Sequence, residues 1–238
     1  MLDDNIVFFE EFYHEIVNYL PVLNKSSDII IDGVVDRAKI DFPNLEYHTQ
    51  VIKDLVELIN LNSTMLNLSI NPEFYTFQQK EYIDFIPLFK RATKILKLKS
   101  DNRKIKLEIE GDTFPNIFAL PIIKLIPYII LDNCIKYSPA KQTIEVEYIK
   151  ADSKHLEIII TSMGPYVPLE EIPKLKEKFY RGNNTVNTNT EGKGLGLYLL
   201  DQICKLSNVG FQFISEDKCF ALNGVNYSTI IQKITIDK

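Results

Sequence analysis

The chain has 238 residues, 45% of them hydrophobic, enough for one large or two small cores. A net charge of −5 without any basic concentration excludes a nucleic-acid surface. Cys134, Cys204 and Cys219 share no metal or redox spacing and read as packed thiols of a reduced protein. The longest apolar runs, Ile29 to Ile31 and Leu125 to Leu131, are too short to cross a bilayer, and Asp3 and Asp4 follow Met1 where a signal peptide would be basic. The expectation is a cytoplasmic chain without a membrane span.

Residues from about Asn5 to Arg37 read as a first helix, with Phe8, Phe12, Ile16, Tyr19, Leu20 and Leu23 along one stripe. Pro21 is expected to kink or break it. Asp41 to Asn44 is a turn signal, and a second helix follows from about Leu45 to Leu68. Two such helices make an antiparallel hairpin whose stripes are too wide for one hairpin to cover, so two chains would pair into a four-helix bundle. His48, on the apolar side of the second helix, and His155, beside a strand start, read as structural.

Asn71 to Phe77 reads as an irregular linker, and the pattern then changes. Helices are expected at Phe85 to Leu98 and Pro121 to Lys136, the latter kinked at Pro127. Strands are expected at Ile105 to Ile109, Ile144 to Ile149, Leu156 to Thr161, Gly210 to Ser215 and Tyr227 to Ile236. The fold class is therefore α+β: a helical hairpin over 1–70, then over 71–238 a sandwich of three helices on one face of a mostly antiparallel sheet.

Two stretches carry chemistry. From Phe179 to Ile203 the chain runs Phe-Tyr-Arg-Gly, a polar tract (Asn183 to Glu191), Gly192-Lys193-Gly194-Leu195-Gly196, and then an amphipathic helix. Such glycines let backbone N–H groups approach a ligand, and the helix start beyond them is an anion site. The stretch alone fits either a phosphate cradle under a lid or a loop that merely turns the chain. No strand leads directly into it, which disfavours a dinucleotide fingerprint. The second stretch, Leu131-Asp132-Asn133-Cys134-Ile135-Lys136-Tyr137-Ser138, turns an apolar helix suddenly polar. Asn133 can offer an oxygen to Mg²⁺ and Lys136 can meet phosphate oxygens, or the stretch is an ordinary C-terminal turn with a cation against the dipole.

In register, the Asn133 stretch, Gly164-Pro165, Phe179-Tyr180-Arg181-Gly182 and Gly192-x-Gly194-x-Gly196 resemble the N, G1, F and G2 boxes of the sensor histidine kinase ATP-binding domain. That domain belongs to a superfamily shared with Hsp90, MutL and DNA gyrase, and the Phe-Tyr-Arg-Gly run points to its histidine kinase branch. The resemblance implies an ATP–Mg²⁺ site. Asn133 would hold the metal, and Lys136 and Tyr137 would line the phosphate and nucleotide edge. Tyr180 and Arg181 of the F box and Lys193 would face the phosphates, Arg181 and Lys193 toward the γ-phosphate. Gly192, Gly194 and Gly196, with Leu195 between them, would let the lid close.

One box departs from the family. Ser162 stands for the G1 aspartate that accepts a hydrogen bond from the adenine amine, and Tyr166 for the second glycine, while Gly164 matches. A serine accepts the same bond without charge, an expected loss of about 1–2 kcal/mol, or roughly tenfold in affinity.

On the first helix, His14-Glu15-Ile16-Val17-Asn18-Tyr19-Leu20 resembles the phosphoacceptor box, with His14, Glu15, Asn18 and Leu20 matching and Val17 and Tyr19 not. At about 100° per residue His14 falls on the solvent face, where an acceptor has to be. Glu15 would orient the imidazole and take its proton. The implied function is a homodimeric two-component histidine kinase core that autophosphorylates His14 from ATP and passes the phosphoryl group to an aspartate on a response regulator receiver domain. A separate sensor protein is a possible source of its signal. The rivals are a degenerate kinase acting as a histidine phosphotransferase or dimeric scaffold, and an ATPase-type switch or serine kinase in which His14 is incidental.

Overall fold

The computed structural model describes residues 2–35, 41–111, 115–150, 155–186, 188 and 192–237. It divides into two compact units, Met1–Ile70 and Asn71–Lys238. The expected end of the first helix at Arg37, and Asn187, Asn189, Thr190 and Glu191 of the polar tract, lie outside the described residues.

The first unit pairs helix α1 (Leu2–Val35) with helix α2 (Phe42–Ile70). Leu55, Leu58, Leu66 and Leu68 of α2 are buried, as are Tyr19 and Ser26 of α1. His48 Nδ1 lies 3.1 Å from Ser26 Oγ, so this histidine ties the two helices together. Contrary to expectation, α1 runs unbroken through Pro21. Proline removes one main-chain bond, and Tyr19 and Ser26, buried on either side, keep the helix engaged. The second helix starts earlier than its apolar periodicity suggests. Asp41 accepts from Asn44 N–H through its side chain (3.2 Å) and from Leu45 N–H through its carbonyl (3.0 Å). The expected turn is thus a helix cap, with Pro43 in the first turn.

In the second unit a short 3₁₀ helix (Pro72–Phe77) leads to β1 (Glu81–Ile83), α3 (Phe85–Ile95), α4 (Lys97–Arg103), β2 (Lys106–Glu110) and β3 (Ile117–Ala119). Next come a 3₁₀ turn (Pro121–Leu125), α5 (Ile126–Tyr137), β4 (Thr143–Lys150) and β5 (His155–Pro165). The chain finishes with a 3₁₀ turn (Ile172–Lys176), the short α6 (Asn183–Val186), α7 (Gly196–Ser207), β6 (Gly210–Leu222) and β7 (Val225–Asp237). The main sheet has the order β2-β4-β5-β7-β6, parallel only between β2 and β4, while β1 and β3 form a separate antiparallel ribbon. Ile144 and Val146, Leu156, Ile158 and Ile160, and Ile230, Ile234 and Ile236 are buried alternately along β4, β5 and β7. Between them Glu145, Glu147, Glu157 and Lys233 point away, the period-two pattern of a sheet packed on one face.

Several expectations need correction. Pro127 does not kink a long helix: it stands in the first turn of α5, and the residues before it form the 3₁₀ turn, because proline suits a helix start. Phe85 to Leu98 is two helices, and α3 is capped by Asp84, whose side chain accepts from Ile86 N–H at 3.0 Å. The last two strands are longer than expected. They meet at Asn223-Gly224, with φ of 52° and 78°, the two left-handed positions that a tight hairpin turn requires.

Candidate functional site

The polar end of α5 is bolted to its surroundings. Ser138 donates through Oγ to the carbonyl of Met163 on β5 (2.7 Å), and its own carbonyl accepts from Arg103 Nη2 (2.7 Å). Asp132 receives Lys99 Nζ on one oxygen and Lys136 Nζ on the other, each at 3.0 Å. Burial alone would raise the Asp132 pKa, but the two ammonium groups outweigh it and hold the carboxyl well below the usual carboxylate range. Lys136, expected to face phosphate, therefore has an ion pair on its own helix.

Asn133 and the glycine loop interlock. A Cβ at Gly196 would lie 2.5 Å from Asn133 Nδ2 and 2.7 Å from its Oδ1, so only glycine lets the helix start meet the carboxamide. Asn133 Nδ2 is buried without a hydrogen-bond partner among the described residues. A Cβ at Gly194, whose φ is +76°, would lie 2.3 Å from the carbonyl oxygen of Tyr180. The neighbouring Gly192 lies close to the hydroxyl of Tyr137, which a Cβ there would approach to 3.7 Å. Helix α7 then begins at Gly196 with no side-chain cap, Leu195 being buried, which leaves first-turn N–H groups for a ligand.

Ser162 and Gly164 lie within β5 rather than in a loop after it. Gly164 packs on Ile230, whose side chain a Cβ would approach to 2.8 Å. Ser162 is buried and hydrogen-bonds the Cys134 thiol, and Gln232 Nε2 reaches the same sulfur at 3.3 Å. Burial pushes Cys134 up to about 11 against those two hydrogen bonds, with Asp132 adding to the rise. Tyr166, in place of the second G1 glycine, accepts from Asn184 Nδ2 at 2.8 Å through its carbonyl.

On the F box, Tyr180 donates its hydroxyl to Glu171 Oε1 at 2.5 Å, and Arg181 Nη2 donates to the Thr185 carbonyl at 3.3 Å. Lys193 is half-buried in the glycine loop. The structure thus brings Asn133, Tyr137, Tyr180, Gly192, Gly194 and Gly196 together. Sequence reasoning missed Lys99, Asp132 and Glu171; Lys99 and Asp132 meet only on folding, as do Glu171 and Tyr180. The abrupt charge of Asp132 on an apolar helix was a signal for that residue.

In the first unit His14 is exposed on α1, its ring 6.3 Å from that of Tyr13 in an edge-on arrangement. Glu15 Oε2 accepts a hydrogen bond from the hydroxyl of the buried Tyr19. Ile6, Phe9, Tyr13, Val17 and Leu20 form an exposed apolar stripe. At about 100° per residue it lies about 100° round from the hairpin-facing Tyr19, Leu23 and Ser26, with His14 about 100° further on.

The residues here fit a magnesium nucleotide: Asn133, whose buried Nδ2 has no hydrogen-bond partner among the described residues, Gly194 and Gly196, where a Cβ would clash, and an uncapped helix start meet at one place. Residues 122–230 match the family described as histidine kinase-, DNA gyrase B-, and HSP90-like ATPase, which implies ATP binding. The sensor protein VanSC of Enterococcus gallinarum is 26% identical over 73% of this chain and 45% of its own length. The signal transduction histidine-protein kinase BaeS of Escherichia coli K12 is 24% identical over 84% of this chain and 42% of its own. The chain thus spans under half the length of both relatives. In fold it is similar to the histidine kinase AdeS of Acinetobacter baumannii, with a TM-score of 0.51 at 19% identity over 94% of this chain and 98% of that one. Full-length ShkA in complex with AMPPNP gives a TM-score of 0.58 at 14% identity over 95% of this chain and 45% of that one. An ATPase domain of this family behind a helical region, together with these relatives, supports a histidine kinase catalytic core.

Proposed function

We propose that the chain is an ATP-dependent protein histidine kinase that phosphorylates its own His14 and passes the phosphoryl group to an aspartate of a response regulator receiver domain. The observation that supports it most is the seat of the Asn133 carboxamide on Gly196, which joins the N and G2 boxes into one site with an unpartnered buried donor. In this reading 71–238 is the nucleotide-binding catalytic domain, and 1–70 is the dimerisation and phosphotransfer hairpin. The exposed stripe from Ile6 to Leu20 would be covered by a second copy, leaving His14 outside the seam. Among the described residues no helix is long and apolar enough to cross a membrane. The cytoplasm, where ATP and receiver domains meet, is the compartment this reading requires, and a separate sensor protein is one source of input.

The chemistry follows from the side chains. Mg²⁺ held by Asn133 Oδ1 and phosphate oxygens would neutralise charge on the triphosphate, and such an ion keeps few protein ligands. Arg181, Lys193 and the N–H groups at the start of α7 bind and orient the phosphates. A neutral ring nitrogen of His14 attacks the γ-phosphorus as the bond to the β,γ-bridging oxygen breaks, and ADP leaves. Glu15, oriented by Tyr19, accepts the proton from the other ring nitrogen. Ser162 and Gly164 line the base side, and Tyr137 and Tyr180 back the glycine loop.

A second reading, a histidine phosphotransferase or scaffold with weak nucleotide use, draws support from Ser162, which is buried and already engaged with Cys134. Incubation with γ-³²P-ATP and Mg²⁺ separates the two. The kinase reading expects acid-labile label in the wild type that is lost in His14→Ala and in Asn133→Ala. Label surviving in His14→Ala moves the acceptor elsewhere, and a wild type that neither labels nor binds nucleotide leaves the phosphotransferase reading.

A further inference from the structure

We propose that Glu171 is a positioning residue that sets Arg181 and the glycine loop for the terminal phosphate of the nucleotide; the inference rests on the kinase reading above. Glu171 precedes the 3₁₀ turn at Ile172 and is 4% exposed. Its Oε1 accepts the Tyr180 hydroxyl at 2.5 Å and the Asn183 backbone N–H at 2.8 Å. These donors flank Arg181-Gly182, so one carboxylate holds the chain immediately before and just after the arginine. Gly182 itself sits beside the carboxylate, an added Cβ there lying 4.0 Å from Glu171 Oε1. The carbonyl of Tyr180 is also the wall against which Gly194 packs, so the anchor reaches the glycine loop through one residue.

One feature argues against a purely structural carboxylate. Oε2 is buried without a hydrogen-bond partner among the described residues, a state that costs stability and is expected where function overrides packing. Tyr180 is pushed up to about 12, first by its hydrogen bond to Glu171 and then by burial, which marks the strength with which the carboxylate holds that hydroxyl. Charge-assisted bonds of this kind are the strong ones.

The test compares ATP and ADP affinities, with Mg²⁺, for the full chain and for Glu171→Ala, Glu171→Gln, Tyr180→Phe, Arg181→Ala and the Glu171→Ala/Arg181→Ala double variant. Losing Glu171 should weaken ATP binding about tenfold and ADP binding less than about twofold. Glu171→Gln and Tyr180→Phe should fall between, and the double variant should bind ATP no worse than about twofold below Arg181→Ala. Should Glu171→Ala not fold, Glu171→Gln and Tyr180→Phe decide. Equal weakening of ATP and ADP, or intact ATP preference in folded Glu171→Gln and Tyr180→Phe, overturns the proposal and leaves the kinase reading standing. A wild type that binds neither nucleotide overturns both.

Discussion

The carboxamide of Asn133 fills the space in which a side chain at Gly196 would stand, its nitrogen 2.5 Å and its oxygen 2.7 Å from the position of a Cβ there. A residue of α5 and the first residue of α7, 63 positions apart in the numbering, are thus cut to fit one another. The site depends on that fit.

Gly196→Ala should lower stability by about 1–3 kcal/mol, the usual range for overpacking, and abolish binding of magnesium nucleotide. Adding Asn133→Ala should relieve the clash and recover stability without recovering binding. Denaturant unfolding beside nucleotide titration checks both halves, and a double variant that regains binding would remove Asn133 from the site.

Asp132 predicts a pH dependence. Its carboxyl is depressed in the folded chain because Lys136 and Lys99 outweigh burial. The stability it contributes is therefore present above the unfolded Asp value of about 3.9 and is lost as pH falls toward the lower folded value. Asp132→Asn should cost about 2 kcal/mol at neutral pH, and the gap to wild type should narrow below about pH 4. Urea midpoints measured across pH 3 to pH 7 test it; a constant gap would mean that the charge is not the cause.

Tyr19 donates to Glu15 from inside the hairpin. Tyr19→Phe removes one hydroxyl and should slow autophosphorylation about fivefold, the equivalent of one ordinary hydrogen bond. ATP affinity should not move. If the labelling rate is unchanged in single-turnover measurements, Glu15 needs no orientation.

The cysteines should differ in reactivity. Burial pushes Cys134 up to about 11, and burial with Asp201 pushes Cys204 up to about 12 against the opposing Lys176, while Cys219 is exposed. At neutral pH an alkylating reagent should modify Cys219 first, and Cys219→Ser should remove the fast phase. Mass mapping of early product that finds Cys134 labelled would place that thiol within reach of solvent.

Much of the fold was legible in advance because apolar periodicity reports local structure. The stripe of α1, the polar end of α5 and the glycines ahead of α7 each bury or expose side chains at a spacing set by one element alone. Where the reading slipped, a local signal was present but given the wrong weight. Asp41 and Pro43 open a helix, Pro127 starts one, and Asn223-Gly224 makes the turn that lengthens β6 and β7. Pro21 was overridden by the packing on either side of it.

By itself the sequence determined the main helices and the strands of the larger sheet with their amphipathic faces, and it nominated candidates for holding a metal, a phosphate or a phosphoryl group. Only the tertiary structure decided which of those side chains were already engaged. Asp132 meets Lys136 one turn along its own helix, but Lys99 reaches the same carboxylate from another helix. Ser162 faces Cys134, and Glu171 gathers Tyr180 and Asn183 across a loop. Hydrogen bonds and ion pairs depend on distances of a few ångströms between residues far apart in sequence, and no periodicity along the chain encodes them.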